Sequence, residues 1–209
     1  MSEKIYAIDI VFLPPENIMD LSISINKTLN SLTKESELIL DKKGCLPHIS
    51  VAMGSIKESD LVSLKDDLKK ISDRYLPYFA SIEKFAVVMT SANEKVSGID
   101  LNKDNRIIEI QNDIASALLK YHTGNITEEM VYNNNNPVSQ FTLEYSSDYL
   151  QKSTGENYSP HITLGNGDVS KLNPCPGLPF RFTCNKIAVC HLGNNCTCPK
   201  ILFEISSGI

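Results

Sequence analysis

The chain has 209 residues, of which 42% are hydrophobic and 22% charged, a balance typical of a globular protein with a buried core. Acidic residues outnumber basic ones by 25 to 20, so the broad basic surface used to bind long duplex nucleic acid is not expected. No apolar run approaches the roughly 20 residues that span a bilayer, and the first residues lack the pattern of a secretory signal. We therefore expect a cytoplasmic monomer that binds neither membranes nor long duplexes.

Strand-like and helix-like segments alternate along the chain. The run IYAIDIVFL at 5–13 is rich in β-branched and aromatic residues and ends at two prolines, which predicts a buried strand. Apolar residues at three- and four-residue steps predict three helices, and short apolar runs predict further strands. The helices are expected at 18–32, 61–71 and 107–121, and the strands at 46–53, 79–89, 96–101, 141–145, 161–164, 180–184, 187–192 and 201–205.

Turn-type residues join two pairs of these strands as hairpins, the pair 79–89 and 96–101 and the pair 187–192 and 201–205. This pattern predicts a single α+β domain over 1–209 with mainly antiparallel sheets. The apolar pattern weakens between the third helix and Pro160, where four asparagines precede Pro137. We interpret 122–157 as an exposed, inserted loop.

The strongest signal is an internal repeat. Pro47-His48-Ile49-Ser50-Val51-Ala52-Met53-Gly54 and Pro160-His161-Ile162-Thr163-Leu164-Gly165-Asn166-Gly167 both follow P-H-I-[ST]-[VL]-x-x-G. The leading proline and the β-branched residues favour a strand in each copy. Because strand side chains alternate, each histidine shares a face with its hydroxyl residue, while the aliphatic residues point to the other face.

Pairing of the two copies about a pseudo-two-fold axis would bring both histidines and both hydroxyls to one cavity. Two imidazoles can supply the acid and the base for phosphodiester cleavage near neutral pH. Repulsion between two imidazolium ions favours the state with one charged and one neutral ring. The hydroxyls of Ser50 and Thr163 can donate hydrogen bonds to the phosphate oxygens. This chemistry requires no metal and no cofactor.

These paired P-H-I-[ST] elements resemble the 2H phosphoesterases, a superfamily that includes RNA 2′,5′-ligase-like proteins and cyclic nucleotide phosphodiesterases. The resemblance extends over nearly the whole chain. It implies a bilobal α+β fold with two sheets around a central cleft and helices outside. It also implies metal-independent action on 2′,3′-cyclic phosphates, ADP-ribose 1″,2″-cyclic phosphate or 2′–5′ linkages, with His48, Ser50, His161 and Thr163 as the catalytic set. The partner would be a small nucleotide or a short RNA end.

Three alternatives stay open at this stage. Tyr158, two positions before Pro160, is a candidate for stacking on a base, or is a half-buried structural residue. Nitrogen and sulfur ligands for zinc are available near the C-terminus from Cys190, His191, Cys196 and Cys198, although strand alternation separates the first two. The same fold can also bind nucleotide ends without turnover, or join ends by the reverse reaction.

Overall fold

The computed structural model describes residues 3–33, 38–90, 93–133, 137–172 and 181–207. Its helices are α1 (Glu16–Leu32), α2 (Leu61–Tyr75), α3 (Asn105–Leu119) and α4 (Gln140–Lys152). Its strands are β1 (Ile5–Leu13), β2 (Ile49–Lys57), β3 (Tyr78–Met89), β4 (Lys95–Leu101), β5 (His161–Asn166), β6 (Arg181–Cys184), β7 (Lys186–His191) and β8 (Lys200–Ser206).

The strands form two four-stranded antiparallel sheets, in the orders β2-β1-β7-β8 and β5-β4-β3-β6. Both predicted hairpins, β3 with β4 and β7 with β8, are present. The two histidine motifs occupy equivalent places, since β2 lies at the edge of the first sheet and β5 at the edge of the second. The predicted α+β fold with two antiparallel sheets is thus confirmed.

Helices α1 and α3 each pack against a motif strand from the other half of the chain. Helix α1 connects β1 to β2 but packs against β5, whereas α3 follows β4 and packs against β2. The edge strands β2 and β5 also contact each other, and one cluster of buried side chains draws on strands of both sheets. Each motif strand is therefore held by a helix from the other half of the molecule.

The first sheet has two differently occupied faces. Ile8, Ile10 and Phe12 of β1 enter the main core, as expected for alternate residues of a strand. On the opposite face, Ala7 contributes to one smaller apolar cluster and Val11 to another. Asp9 lies between these two clusters and is also fully buried.

Two expectations for the segment after α3 are wrong. Residues 140–152 form helix α4 rather than part of an exposed loop, and the strand predicted at 141–145 lies within that helix. Ser139 caps the helix by accepting a hydrogen bond from the Thr142 amide. Helix α4 packs against β2, and Tyr149 is buried there. Residues 134–136 of the predicted loop, like Phe180 of the strand predicted at 180–184, lie outside the described residues.

Candidate active site

The first motif begins just before an edge strand. His48 directly precedes β2, and Ser50 lies in that strand. The Nδ1 atom of His48 lies 2.7 Å from the carbonyl oxygen of Leu46, two residues earlier. A carbonyl can only accept a hydrogen bond, so Nδ1 carries the proton and Nε2 of the neutral ring has the free lone pair. The side chain of His48 is 13% exposed.

The second motif repeats this arrangement. His161 is the first residue of β5, and its Nδ1 lies 2.8 Å from the carbonyl oxygen of Ser159, again two residues earlier. The same reasoning gives His161 a protonated Nδ1 and an Nε2 with a free lone pair. The two rings are thus held in the same tautomer by equivalent backbone contacts, as catalytic imidazoles require.

Two contacts link the motifs to each other. The hydroxyl of Tyr158, close before β5, donates a hydrogen bond of 2.8 Å to the carbonyl oxygen of Ser50 in β2. Burial lowers the pKa of His48, and the nearby charge of His161 lowers it further, while the carbonyls of Leu46 and Cys196 act in the opposite direction. The motif strands β2 and β5 are also in direct contact.

An open cavity of about 220 Å³ adjoins the second motif. His161 and Thr163 line it together with Ser159 and, on β3 and β4, Ala86, Val88, Val96, Ser97, Gly98 and Asp100. His48 and Ser50 are not among the residues that line this cavity. The cavity gives a phosphate access to His161 and Thr163.

Sequence reasoning missed one polar residue of this region, Asp9 of β1. The carboxylate is 0% exposed, and its Oδ2 accepts a hydrogen bond of 2.7 Å from the Ser50 hydroxyl. The same oxygen lies 3.6 Å from Nε2 of His48. Burial raises the pKa of Asp9 well above its ordinary value, although the Ser50 hydroxyl acts in the opposite direction. An acidic residue in a nine-residue apolar run was the available signal, because a buried carboxylate is costly without partners.

Helix α4 packs over the strands that flank the first motif. Tyr149 shares an apolar cluster with Ala7 and Met53, which lie in β1 and β2, and Tyr145 packs against that cluster. Burial raises the pKa of both phenols, and the Asp9 carboxyl also contributes for each of them. Helix α4 therefore covers the sheet face that carries Asp9.

Tyr158 does not have the position that stacking on a base requires. Its ring is 2% exposed and belongs to the main core, and its hydroxyl is engaged with Ser50. No ring face is open to a nucleotide, so the stacking prediction is wrong and the structural interpretation applies. Burial raises the pKa of Tyr158 well above its ordinary value.

The predicted alternative zinc ligands are not gathered around one point. Nε2 of His191 lies 2.9 Å from the carbonyl oxygen of Met130, and its ring packs edge-on against Tyr6 and Tyr132. Cys190 instead contacts Cys198, on the buried side of the first sheet. His191 is thus separated from the thiols.

The sequence matches no protein-family model and no curated protein. Solved structures do match, over nearly the whole chain. Escherichia coli LigT complexed with ATP gives a TM-score of 0.52 at 11% identity, covering 98% of this chain and 99% of LigT. The TT0787 protein of Thermus thermophilus gives 0.51 at 12% identity, covering 96% and 97%. LigT complexed with 3′-AMP gives 0.50 at 12% identity, covering 99% and 100%.

This chain has the LigT fold. The likeness extends over both sheets and all four helices, so the two histidine motifs lie within the shared architecture. At 11 to 12% identity it establishes the fold alone, and the chemistry has to be argued from the side chains of this chain.

Proposed function

We propose that this protein is a phosphodiesterase in which His48 and His161 act as the acid and base pair. The observation that supports this proposal is the equivalence of the two rings. In each of them, Nδ1 contacts the carbonyl oxygen of the residue two positions earlier. A charge on His161 favours the neutral form of His48, so the pair can present one proton donor and one proton acceptor. A purely structural role would not require this duplication.

The proposed reaction is hydrolysis of one phosphodiester bond. One imidazole removes the proton from the attacking water, and the other protonates the oxygen that leaves phosphorus on the opposite side. The hydroxyl of Thr163 lines the cavity and donates to a non-bridging phosphate oxygen. The proton of Ser50 is directed to Asp9, so Ser50 contributes to phosphate binding only when that hydrogen bond is released. No metal takes part in this scheme.

The proposed substrates are RNA-derived 2′,3′-cyclic phosphates and 2′–5′ linked nucleotides. LigT, which shares the fold, has been crystallised in complexes with 3′-AMP and with phosphate, which supports a nucleotide-sized ligand for this fold. The cavity of about 220 Å³ suits a single phosphate with part of its sugar rather than a duplex. The formal net charge of −5 likewise favours a small substrate over a polyanion.

A second candidate is a nucleotide-binding module without turnover. The lining of the cavity by His161 without His48 and the engagement of Ser50 with Asp9 favour this alternative. A third possibility, ligation of RNA ends, is the same reaction run in reverse and shares the same site. A measurement of turnover distinguishes the phosphodiesterase from the binding module.

The test is incubation of the purified protein with a 2′,3′-cyclic mononucleotide and with a 2′–5′ dinucleotide in excess EDTA. We expect hydrolysis, reduced at least about 100-fold by His48→Ala and by His161→Ala separately, because each removes one proton-transfer group. His122→Ala is the matched control, since His122 accepts a hydrogen bond from the Ser55 amide, away from the cavity. Binding without hydrolysis in the wild-type protein would establish the module instead.

A further inference from the structure

Three possible metal ligands from distant parts of the chain meet beside the first motif. A carboxylate oxygen of Asp9, a ring nitrogen of His48 and Sγ of Cys198 all lie within 4.8 Å of one another. They come from β1, from the residue before β2 and from the loop between β7 and β8. Asp9 and Cys198 are both 0% exposed, whereas His48 borders the more open region.

One ligand atom in this group lacks a partner. Oδ1 of Asp9 is buried and accepts no hydrogen bond within the described part of the chain. A buried carboxylate with an unsatisfied oxygen is costly, and a bound cation is one of the few arrangements that relieve that cost. The ring of His48 faces the other oxygen of this carboxyl group, with Nε2 3.6 Å from Oδ2. The missing hydrogen bond at Oδ1 of Asp9 is an observation separate from the proximity of the three ligand atoms.

The ligand spacing is close to that of a zinc site. Zinc lies about 2.0 to 2.3 Å from nitrogen, oxygen and sulfur ligands in a tetrahedral arrangement, which separates neighbouring ligand atoms by about 3.3 to 3.8 Å. Nε2 of His48 and Oδ2 of Asp9 are 3.6 Å apart, within this range. Sγ of Cys198 lies within 4.8 Å of the other two ligand atoms, so the thiol has to move closer to them when zinc binds. A set of carboxylate, imidazole and thiolate suits zinc better than magnesium or calcium, which take oxygen ligands.

The surrounding contacts orient each ligand as zinc sites require. The His48 ring donates through Nδ1 to the Leu46 carbonyl, which directs the lone pair of Nε2 away from the backbone. The Ser50 hydroxyl donates to the Asp9 carboxylate at 2.7 Å. The thiol of Cys198 has a side-chain hydrogen bond with Cys190. Each prospective ligand is thus already fixed by a neighbour.

We propose that Asp9, His48 and Cys198 bind one zinc ion, and that zinc bound there inhibits the enzyme. The metal replaces the thiol proton of Cys198, which is released to solvent, and takes the lone pair on Nε2 of His48. His48 can then neither accept nor donate a proton. The binding site stands on the geometry alone, whereas the inhibition rests on the proposed function.

The first test measures metal binding without any assay of activity. Protein freed of metal with EDTA and then dialysed is titrated with Zn²⁺ in competition with a chromophoric chelator, and with Co²⁺ as an optical probe. We expect one equivalent of each metal to bind, with a near-ultraviolet thiolate-to-cobalt charge-transfer band and the visible bands of a tetrahedral cobalt complex. Absence of stoichiometric binding, or of the charge-transfer band, overturns the site.

Matched variants locate the metal. Cys198→Ser should abolish the charge-transfer band and weaken zinc binding more than about 100-fold, because even residues that only contact ligands contribute 10- to 100-fold. His48→Ala, which removes a more exposed ligand, should weaken binding similarly if Cys198→Ser does not fold. Cys45→Ser is the control, since Cys45 is a nearby free thiol outside the cluster. Unchanged binding in both Cys198→Ser and His48→Ala overturns the assignment.

The inhibition is tested with the same protein and a 2′,3′-cyclic mononucleotide. One equivalent of Zn²⁺ should lower turnover at least about 10-fold, and EDTA should restore it, while Cys198→Ser should resist zinc. Turnover that persists with zinc bound overturns the inhibition and leaves the proposed function standing. Zinc binding with the thiolate band in a protein that never turns over substrate overturns the proposed function and leaves the site standing.

Discussion

The two motifs differ in what surrounds their hydroxyl residues. Ser50 donates to the buried carboxylate of Asp9, whereas Thr163 lines an open cavity. Similar sequences therefore give one hydroxyl a structural partner and leave the other facing the cavity. The asymmetry comes from β1, which places Asp9 beside the first motif.

This difference predicts unequal effects of removing the two hydroxyls. Ser50→Ala should lower the free energy of unfolding by about 1 to 3 kcal/mol, because the buried carboxylate of Asp9 loses its hydrogen-bond donor. Thr163→Ala should change it by less than about 0.5 kcal/mol, as expected for a partly exposed site, while lowering turnover. Urea denaturation of the two variants measures the comparison. Equal losses of stability would contradict the role assigned to Asp9.

Gly165 in the second motif is constrained by its neighbour Asn26. Its φ is +120°, and a Cβ built on it would lie 2.6 Å from Nδ2 of Asn26, which donates to the Leu164 carbonyl at 2.7 Å. Gly165→Ala should therefore destabilise the protein by more than Gly124→Ala, where φ is +113° but no atom lies within 4 Å. Thermal unfolding monitored by circular dichroism checks the order, and a larger effect at Gly124 would refute it.

Helix α4 shows what a hydropathy pattern cannot reveal. Phe141, Leu143 and Tyr145 alternate with polar residues, which favours a strand. The face that is buried instead consists of Thr142, Ser146 and Tyr149, and the Ser146 hydroxyl is satisfied by the Thr142 carbonyl. Polar residues with internal hydrogen bonds can line a buried helix face, but their hydropathy does not identify it.

Helices α1 to α3 were predictable because most of their buried residues are apolar and recur at helical spacing. The strands and hairpins were predictable for a similar reason, since β-branched runs end at turn-type residues. The motif histidines were found through repetition. Asp9 was missed and Cys198 was grouped with different prospective ligands, because the significance of both depends on contacts between segments far apart in sequence.

The packing of α4 against β2 gives a further prediction. Tyr149→Ala should lower the free energy of unfolding by about 3 kcal/mol, because Tyr149 is 3% exposed and its removal leaves a cavity. Phe141→Ala in the same helix is the control and should cost less than about 1 kcal/mol, since Phe141 is 57% exposed. Guanidinium denaturation of both variants provides the measurement. A small effect of Tyr149→Ala would mean that α4 contributes little to the fold.

Three buried or half-buried histidines make the stability of the whole molecule depend on pH. Burial lowers the pKa of His48, His122 and His191, so in the unfolded chain each binds its proton more readily. Their contribution to stability is complete above the unfolded pKa near 6.5 and is lost as pH falls through the lowered values. The Asp9 carboxyl has the opposite sign because burial raises its pKa, so the contribution of the histidines has to be measured as a difference between variants.

We therefore expect acidification from pH 7 to 5 to be less unfavourable to the melting temperature of the double variant with His122→Gln and His191→Gln than to that of the wild-type protein, because the variant lacks two groups that take up protons on unfolding. Asp67 and Asp168 do not contribute in this interval, because their lysine partners lower the pKa of each to about 2. Differential scanning fluorimetry of both proteins across the interval measures the difference. An equal or more unfavourable change in the double variant would contradict the assigned signs.

The exchanged packing of α1 and α3 makes the two halves of the chain mutually dependent. A cut between α2 and β3 would yield one fragment with β2 but without α3, and another with β5 but without α1. Each fragment alone would present an aliphatic helix surface to water and would aggregate. When both were produced together, they would assemble only as a pair, so the motif strands β2 and β5 would come into contact in the same event that completes the interior.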